Sequence, residues 1–154
     1  MTFGASYKII ERLRVSGELT WYHWSQYGGP LDTGLASEFN DILVPRVGVL
    51  FRLTRDVDLR CGFYYEPTPV TNQPQGFYPI GNDRYVPSLG IGYAFKDPWG
   101  ILAKPAAIDA YLQYHILAEE SFDRAVPINP YTRNPDVSSS GYVVNLGINV
   151  TLHF

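Results

Sequence analysis

From Gly141 to Phe154 the even positions are Tyr142, Val144, Leu146, Ile148, Val150, Leu152 and Phe154, and every one is apolar. The odd positions are Gly141, Val143, Asn145, Gly147, Asn149, Thr151 and His153, mostly small or polar. A period of two places these sets on opposite faces of one extended strand, whereas a helix would scatter both around its circumference. Few chain conformations are compatible with such a segment: it is a strand with one greasy face.

The pattern recurs along the chain. Ile108, Ala110, Leu112, Tyr114 and Ile116 alternate with Asp109, Tyr111, Gln113 and His115. Similar alternation runs through Phe3–Ile9, Leu13–Trp21, Leu43–Leu53, Val57–Tyr65 and Tyr85–Phe95. It predicts seven strands, at 2–10, 13–26, 43–54, 57–67, 84–97, 106–122 and 141–154. Several are longer than the usual globular strand of about 5–6 residues. They match the roughly 9–11 residues that a tilted strand needs to cross the hydrocarbon layer. The connections 11–12 and 55–56 are short, whereas 27–42, 68–83 and 123–140 are long and rich in Pro, Gly, Asn and Asp. Short turns at one end and long loops at the other are the layout of an outer-membrane barrel. With the C-terminus in the periplasm, every long loop falls outside the cell. The expected fold is therefore all-β: an antiparallel up-and-down transmembrane β-barrel, present in part, with residues 1–154 as a single partial barrel domain.

Composition bears on which face is wet. Aromatic residues reach 15% and charged residues only 18%, with 12 Tyr and 14 Gly. The polar set is poor in the Lys and Glu that coat a soluble sheet, and rich in Gly, Ser and Asn, which suit a crowded or hydrated lumen. Trp21, Trp24, Tyr64, Tyr65, Tyr85 and Tyr142 fall near strand ends, where the amphipathic rings of an interfacial belt belong. No run of about 18 apolar residues offers a transmembrane helix. A net charge of -3 argues against nucleic acid, which needs a basic stripe. Met1–Lys8 lacks the basic-then-apolar order of a signal peptide, so the sequence is expected to be a processed chain or part of a longer one.

Other stretches carry a family resemblance. Trp21-Tyr22-His23-Trp24-Ser25, Pro45 through Leu53, Leu59 through Pro69, Pro79-Ile80-Gly81-Asn82-Asp83-Arg84, Leu89 through Tyr93 and Ile108 through Tyr111 together resemble the FadL/TodX (OMPP1) family of hydrophobic-compound transporters. The alternation ending at Phe154 resembles the terminal signal read by the barrel-assembly machinery. The resemblance implies the C-terminal half of a larger barrel, plugged in the complete protein by an N-terminal hatch, that passes fatty acids and other apolar compounds by diffusion. It implies outer-membrane lipid and lipopolysaccharide as surroundings. Closure then needs the missing N-terminal half or a second copy.

The polar-face charges are Arg14, Glu18, Arg46, Arg52, Asp58, Arg60, Glu66, Arg84 and Asp109. On the lipid side each would cost about 2–4 kcal/mol near the midplane, so they are expected to face the lumen. Arg46, Arg52, Arg60, Arg84, Glu66 and Asp109 are candidate lumen-lining or substrate-contacting residues. Either they attract a substrate carboxylate or they form a structural Arg–carboxylate network. Pro45 and Pro87 lie inside strands and are candidate kink sites, because each removes one ladder hydrogen bond. The three histidines lack metal spacing, and no nucleophile–base arrangement stands out. No enzyme, cofactor or metal is expected. Two alternatives stay open: a soluble or small membrane barrel holding an apolar ligand, and a purely structural outer-membrane protein.

Overall fold

Each alternating segment forms a strand, and each strand pairs with the next in sequence. The computed structural model describes residues 1–26, 39–70, 81–96, 105–122 and 137–152. Its strands are β1 (Thr2–Ile10), β2 (Leu13–Tyr22), β3 (Ile42–Arg52), β4 (Val57–Glu66), β5 (Arg84–Phe95), β6 (Ala106–Phe122) and β7 (Val137–Thr151). They form one seven-stranded antiparallel sheet in the order β1-β2-β3-β4-β5-β6-β7. The sheet does not close: β1 and β7 are its two edges.

Register carries each apolar set onto the next. Leu146 stands opposite Leu112, Leu112 opposite Leu89, Leu89 opposite Cys61, Cys61 opposite Val49, and Val49 opposite Val15. One slip of a single residue anywhere would throw the rest onto the wrong face. The two irregularities, at Lys8/Ile10 and Leu117/Glu120, fall toward strand ends and leave this central row intact.

Two boundaries differ from the sequence pattern by four residues, and the ends of β3, β4, β5 and β7 and the start of β3 by one to three. β2 ends at Tyr22, and Trp24–Gln26 forms a 3-10 turn. Here Asp41 accepts the Ser25 N–H at 2.9 Å, which turns the chain out of the strand. β7 begins at Val137 instead of Gly141, because the extended end of β6 pairs with it through Glu120↔Ser139 and Ser121↔Ser138. Val137-Ser138-Ser139-Ser140 has no alternation to reveal this. Residues 97, 153 and 154 of the expected strands, the Phe154 signal among them, lie outside the described residues.

Almost nothing is buried. Among the described residues the buried hydrophobics are Ile42, Val44, Val86 and Ala106, with Thr20 as the buried polar residue. Leu146 and Ile148 are each 77% exposed, so the apolar face covers no protein core. The polar face is the one on which side chains reach across an intervening strand. Arg60 of β4 meets Asp109 of β6, and the rings of Tyr64 (β4) and His115 (β6) lie 6.3 Å apart. Strands two apart are separated by about 9.6 Å in a flat sheet, so these bridges fit the concave side of a curved wall. No helix among the described residues is long and apolar enough to cross a membrane.

Leu146→Arg in the protein folded into bilayers is expected to cost about 2–4 kcal/mol, read as a lowered urea midpoint. Asn145→Arg, one residue along and on the other face, is expected to cost much less. Equal losses at both positions would contradict the assignment of faces.

Candidate functional site

The polar face is built from the odd residues of β7 and their partners. At its middle level Ser6, Ser16, Gly48, Gly62, Ser88, Gln113 and Asn145 succeed one another across the seven strands. Small side chains here leave the wall thin. Above and below lie the charges, and their positions follow from register.

All six candidate lumen residues sit on this face, and every arginine among them meets a carboxylate. Arg46 Nη1 donates to Glu18 Oε1 and to Thr20 Oγ1, both at 2.7 Å, with its guanidinium 5.6 Å from the Tyr64 ring centre. Arg84 pairs with Glu66 at 2.7 Å and Arg60 with Asp109 at 2.5 Å. Arg52 stands 3.5 Å from Asp58. Each pair joins two different strands. They are partly exposed, so each contributes of order 0–1 kcal/mol; their larger effect is to neutralise charge and fix neighbouring strands.

Two glycines make this possible. A Cβ on Gly92 would lie 2.6 Å from Asp109 Oδ1 and 3.0 Å from an Arg60 nitrogen, so β5 must be bare where Arg60 crosses it. A Cβ on Gly147 would come within 2.3 Å of the Tyr111 ring, so β7 must be bare where that ring sits.

The prolines sit where ladders break. Ala118 N–H bonds the Asp83 carbonyl at 2.9 Å, so odd-numbered residues of β5 turn their backbone groups toward β6. Pro87 is one of them, and its missing donor faces Tyr114. The β5–β6 ladder skips Val86 and Pro87 and resumes at Ser88↔Gln113 in the same register. This is a gap without a bulge. Likewise Leu53 N–H bonds the Val57 carbonyl at 2.9 Å, so Pro45 faces β4. The β3–β4 ladder starts one residue later, at Arg46↔Tyr64. Beyond Pro45, among the described residues, the two segments meet again at Asn40–Pro69 and Phe39↔Val70, one residue out of step.

The sequence pattern gave no role to Gly81-Asn82-Asp83, which form a knot at the long-loop end. Asn82 Nδ2 donates to the carbonyls of Ala118 (2.8 Å) and Ser139 (2.7 Å), and Ser139 Oγ donates to Asn82 Oδ1 at 3.1 Å. Its amide thus fills the irregularity in β6 and holds β7 as well. Asp83 accepts the Thr68 N–H at 2.8 Å and the Tyr65 hydroxyl, and Arg84 adds Glu66. Four strand ends meet at three consecutive side chains. A run of Gly-Asn-Asp reads as turn chemistry, which is why periodicity alone passes over it.

No group of three or more His, Cys, Asp or Glu among the described residues is arranged to hold a metal. His115 Nε2 pairs with the Asn145 amide at 3.0 Å, and His23 lies 3.4 Å from Asp41. The aromatic loop stretch Gln75-Gly76-Phe77-Tyr78-Pro79, a candidate external landing site, lies outside the described residues.

A long-stranded antiparallel meander with an uncovered apolar face and an ion-paired polar face defines a wall section of a transmembrane β-barrel. The comparisons give the family. A family model described as outer membrane protein transport protein (OMPP1/FadL/TodX) matches residues 1–154, and the chain belongs to that family. It is 30% identical over 122 residues to alkane uptake protein A of Marinobacter nauticus, covering 71% of this chain and 26% of that protein. The crystal structure of a Pseudomonas aeruginosa FadL homologue superposes with a TM-score of 0.64 at 21% identity, covering 96% of this chain and 33% of that one. That likeness establishes the shared fold. The chain thus spans a quarter to a third of the length of these relatives.

Asn82→Ala strands the Ala118 and Ser139 carbonyls, and is expected to cost about 1–3 kcal/mol by urea unfolding. The amides of β6 and β7 near the irregularity should also exchange hydrogen faster. Gly92→Val is expected to part Arg60 from Asp109, and a double-mutant cycle on that pair should then lose its coupling.

Proposed function

We propose that this chain is the C-terminal section of an outer-membrane barrel through which hydrophobic compounds, long-chain fatty acids or alkanes, enter by passive diffusion. The observation that carries the reading is the division of one sheet into two solvents. Its outward face exposes Leu146, Ile148, Leu89 and Val47 with nothing to cover them, and its inward face gathers the four Arg–carboxylate pairs. Acyl chains stabilise the first and water the second. Membership of a family of outer membrane transport proteins and likeness to an alkane uptake protein support transport of apolar cargo in particular.

The open edges fit the same reading. β1 and β7 each present unpaired backbone groups, which hydrocarbon does not tolerate, so further strands must complete the wall. The remaining part of a longer chain supplies them, or a second copy does. Lipid and lipopolysaccharide surround the closed barrel, and Phe154 addresses the barrel-assembly machinery. Arg46, Arg52, Arg60, Arg84, Glu66 and Asp109 then act as a neutral, rigid lumen lining. At Pro45 or Pro87 the wall is held by fewer hydrogen bonds, and there a molecule leaves the lumen sideways. No protein chemistry is required of such a passage, which suits a transporter and not an enzyme.

Uptake of dodecane into liposomes with an enclosed fluorescent reporter tests this. Liposomes containing the complete barrel are expected to take it up faster than protein-free ones, without an ion gradient or nucleotide. Equal rates with and without protein would overturn the proposal.

A further inference from the structure

The apolar face is not an even surface. On its short-turn side two small side chains interrupt a field of large ones. Cys61 of β4 stands in register between Val49 and Leu89, and Ala110 of β6 stands opposite Ile91. Phe51, Leu59, Leu89 and Ile91 rise around these gaps, and between the last two the surface dips to the main chain of Gly90. Together they shape a hollow of about 510 Å³. That size lies within the roughly 300–1,000 Å³ of sites that take small molecules.

Its lining indicates what fills it. The side chains that border it are aliphatic, aromatic or thiol, and Arg60, whose main chain borders it, sends its guanidinium to Asp109 on the other face. Nothing here recognises a head group, so the chemistry that fits is bare hydrocarbon. Depth gives the source. On this face β5 carries Tyr85, stacked on Tyr65 at 5.0 Å, and Tyr93, stacked on Phe95 at 5.9 Å; these are the places of the two interfacial belts. Leu89 lies four residues from each tyrosine, and the hollow extends from Leu89 toward Tyr93 and the short turns. A chain end at that depth comes from the leaflet on the short-turn side. Within hydrocarbon the gain is contact and not escape from water: a methylene in a hollow touches protein on several sides, and an empty hollow forfeits that dispersion.

We infer that this hollow seats the end of one phospholipid acyl chain from the periplasmic leaflet, and holds it longer than the wall beside it holds its neighbours. The seat rests on the proposed reading only for its setting, a face turned to lipid. It adds a bound lipid on the outside of the wall, separate from any cargo on the inside.

Nuclear Overhauser contacts between lipid chain ends and protein methyl groups, measured on the complete barrel in phosphatidylcholine nanodiscs, test the seat. The Ala110 methyl is expected to give about two- to fourfold stronger cross-peaks to the terminal chain protons than the Ile148 methyls do, although Ile148 is 77% exposed and Ala110 is half-buried. Cys61→Phe fills the other end of the hollow and is expected to lower the Ala110 cross-peaks toward those of Ile148. Heat-modifiable gel migration shows whether that variant is folded, and the comparison within the unchanged protein needs no variant at all. Cross-peaks at Ala110 equal to or weaker than those at Ile148 would overturn the inference, as would an Ala110 signal indifferent to Cys61→Phe in a folded barrel. Loss of the Ala110 cross-peaks on adding equimolar dodecane would overturn it too, by giving the hollow to cargo instead of lipid. The two readings fail separately: a barrel that passes dodecane but shows no seated tail refutes the seat alone, and one with a seated tail that passes none refutes the transport reading.

Discussion

A peptide group in hydrocarbon has no water to bond with, so each unpaired N–H or C=O there costs several kcal/mol. This constraint shapes every feature of the sheet. It explains why neighbouring strands pair in sequence order, why long strands are joined by short turns at one end, and why register holds across the central rows. It also explains why the prolines matter. At Pro45 and Pro87 the ladder lacks a donor, and these are the places where β3–β4 and β5–β6 pairing stops or skips. The irregularity in β6 is repaired by another route: the Asn82 amide bonds the carbonyls of Ala118 and Ser139.

The side chains obey the same constraint from the other direction. Charges cannot face the bilayer cheaply, so they gather on the lumen face, and there they neutralise each other strand by strand. Bulk is arranged to permit this. Gly92 leaves open the path from Arg60 to Asp109, and Gly147 makes room for the ring of Tyr111. The resulting face is polar, crowded and close to neutral. Its stability comes from ladder and lipid contact more than from a core, since few described residues are buried.

Much of this was legible in the residues because a strand between two solvents must write its faces in alternation. Leu146, Leu112 and Leu89 appear at the right parity in three separate segments, and their pairing follows. The family could be read from short blocks such as Pro45–Leu53. Less visible were contacts that depend on depth and distance. Nothing in the spacing of Arg60 and Asp109 says that one will reach the other across β5. The start of β7 at Val137 was hidden because three serines in a row have no polarity pattern. The knot at Asn82 and Asp83 was hidden because turn-forming residues advertise a change of direction, not the partners they will hold. Charge balance left two readings of Arg46, Arg52, Arg60 and Arg84, and the ion pair each one makes depends on reach between strands that spacing does not give.

The central claim is that one face of this sheet touches acyl chains and the other touches water. Spin labels placed singly at positions 142 to 150 of β7, in the barrel reconstituted in bilayers, measure it directly through collisions with oxygen, which concentrates in lipid, and with a water-soluble nickel chelate. Even positions are expected to favour oxygen and odd positions the chelate, alternating residue by residue. A uniform profile, or one with the two sets exchanged, would contradict the account.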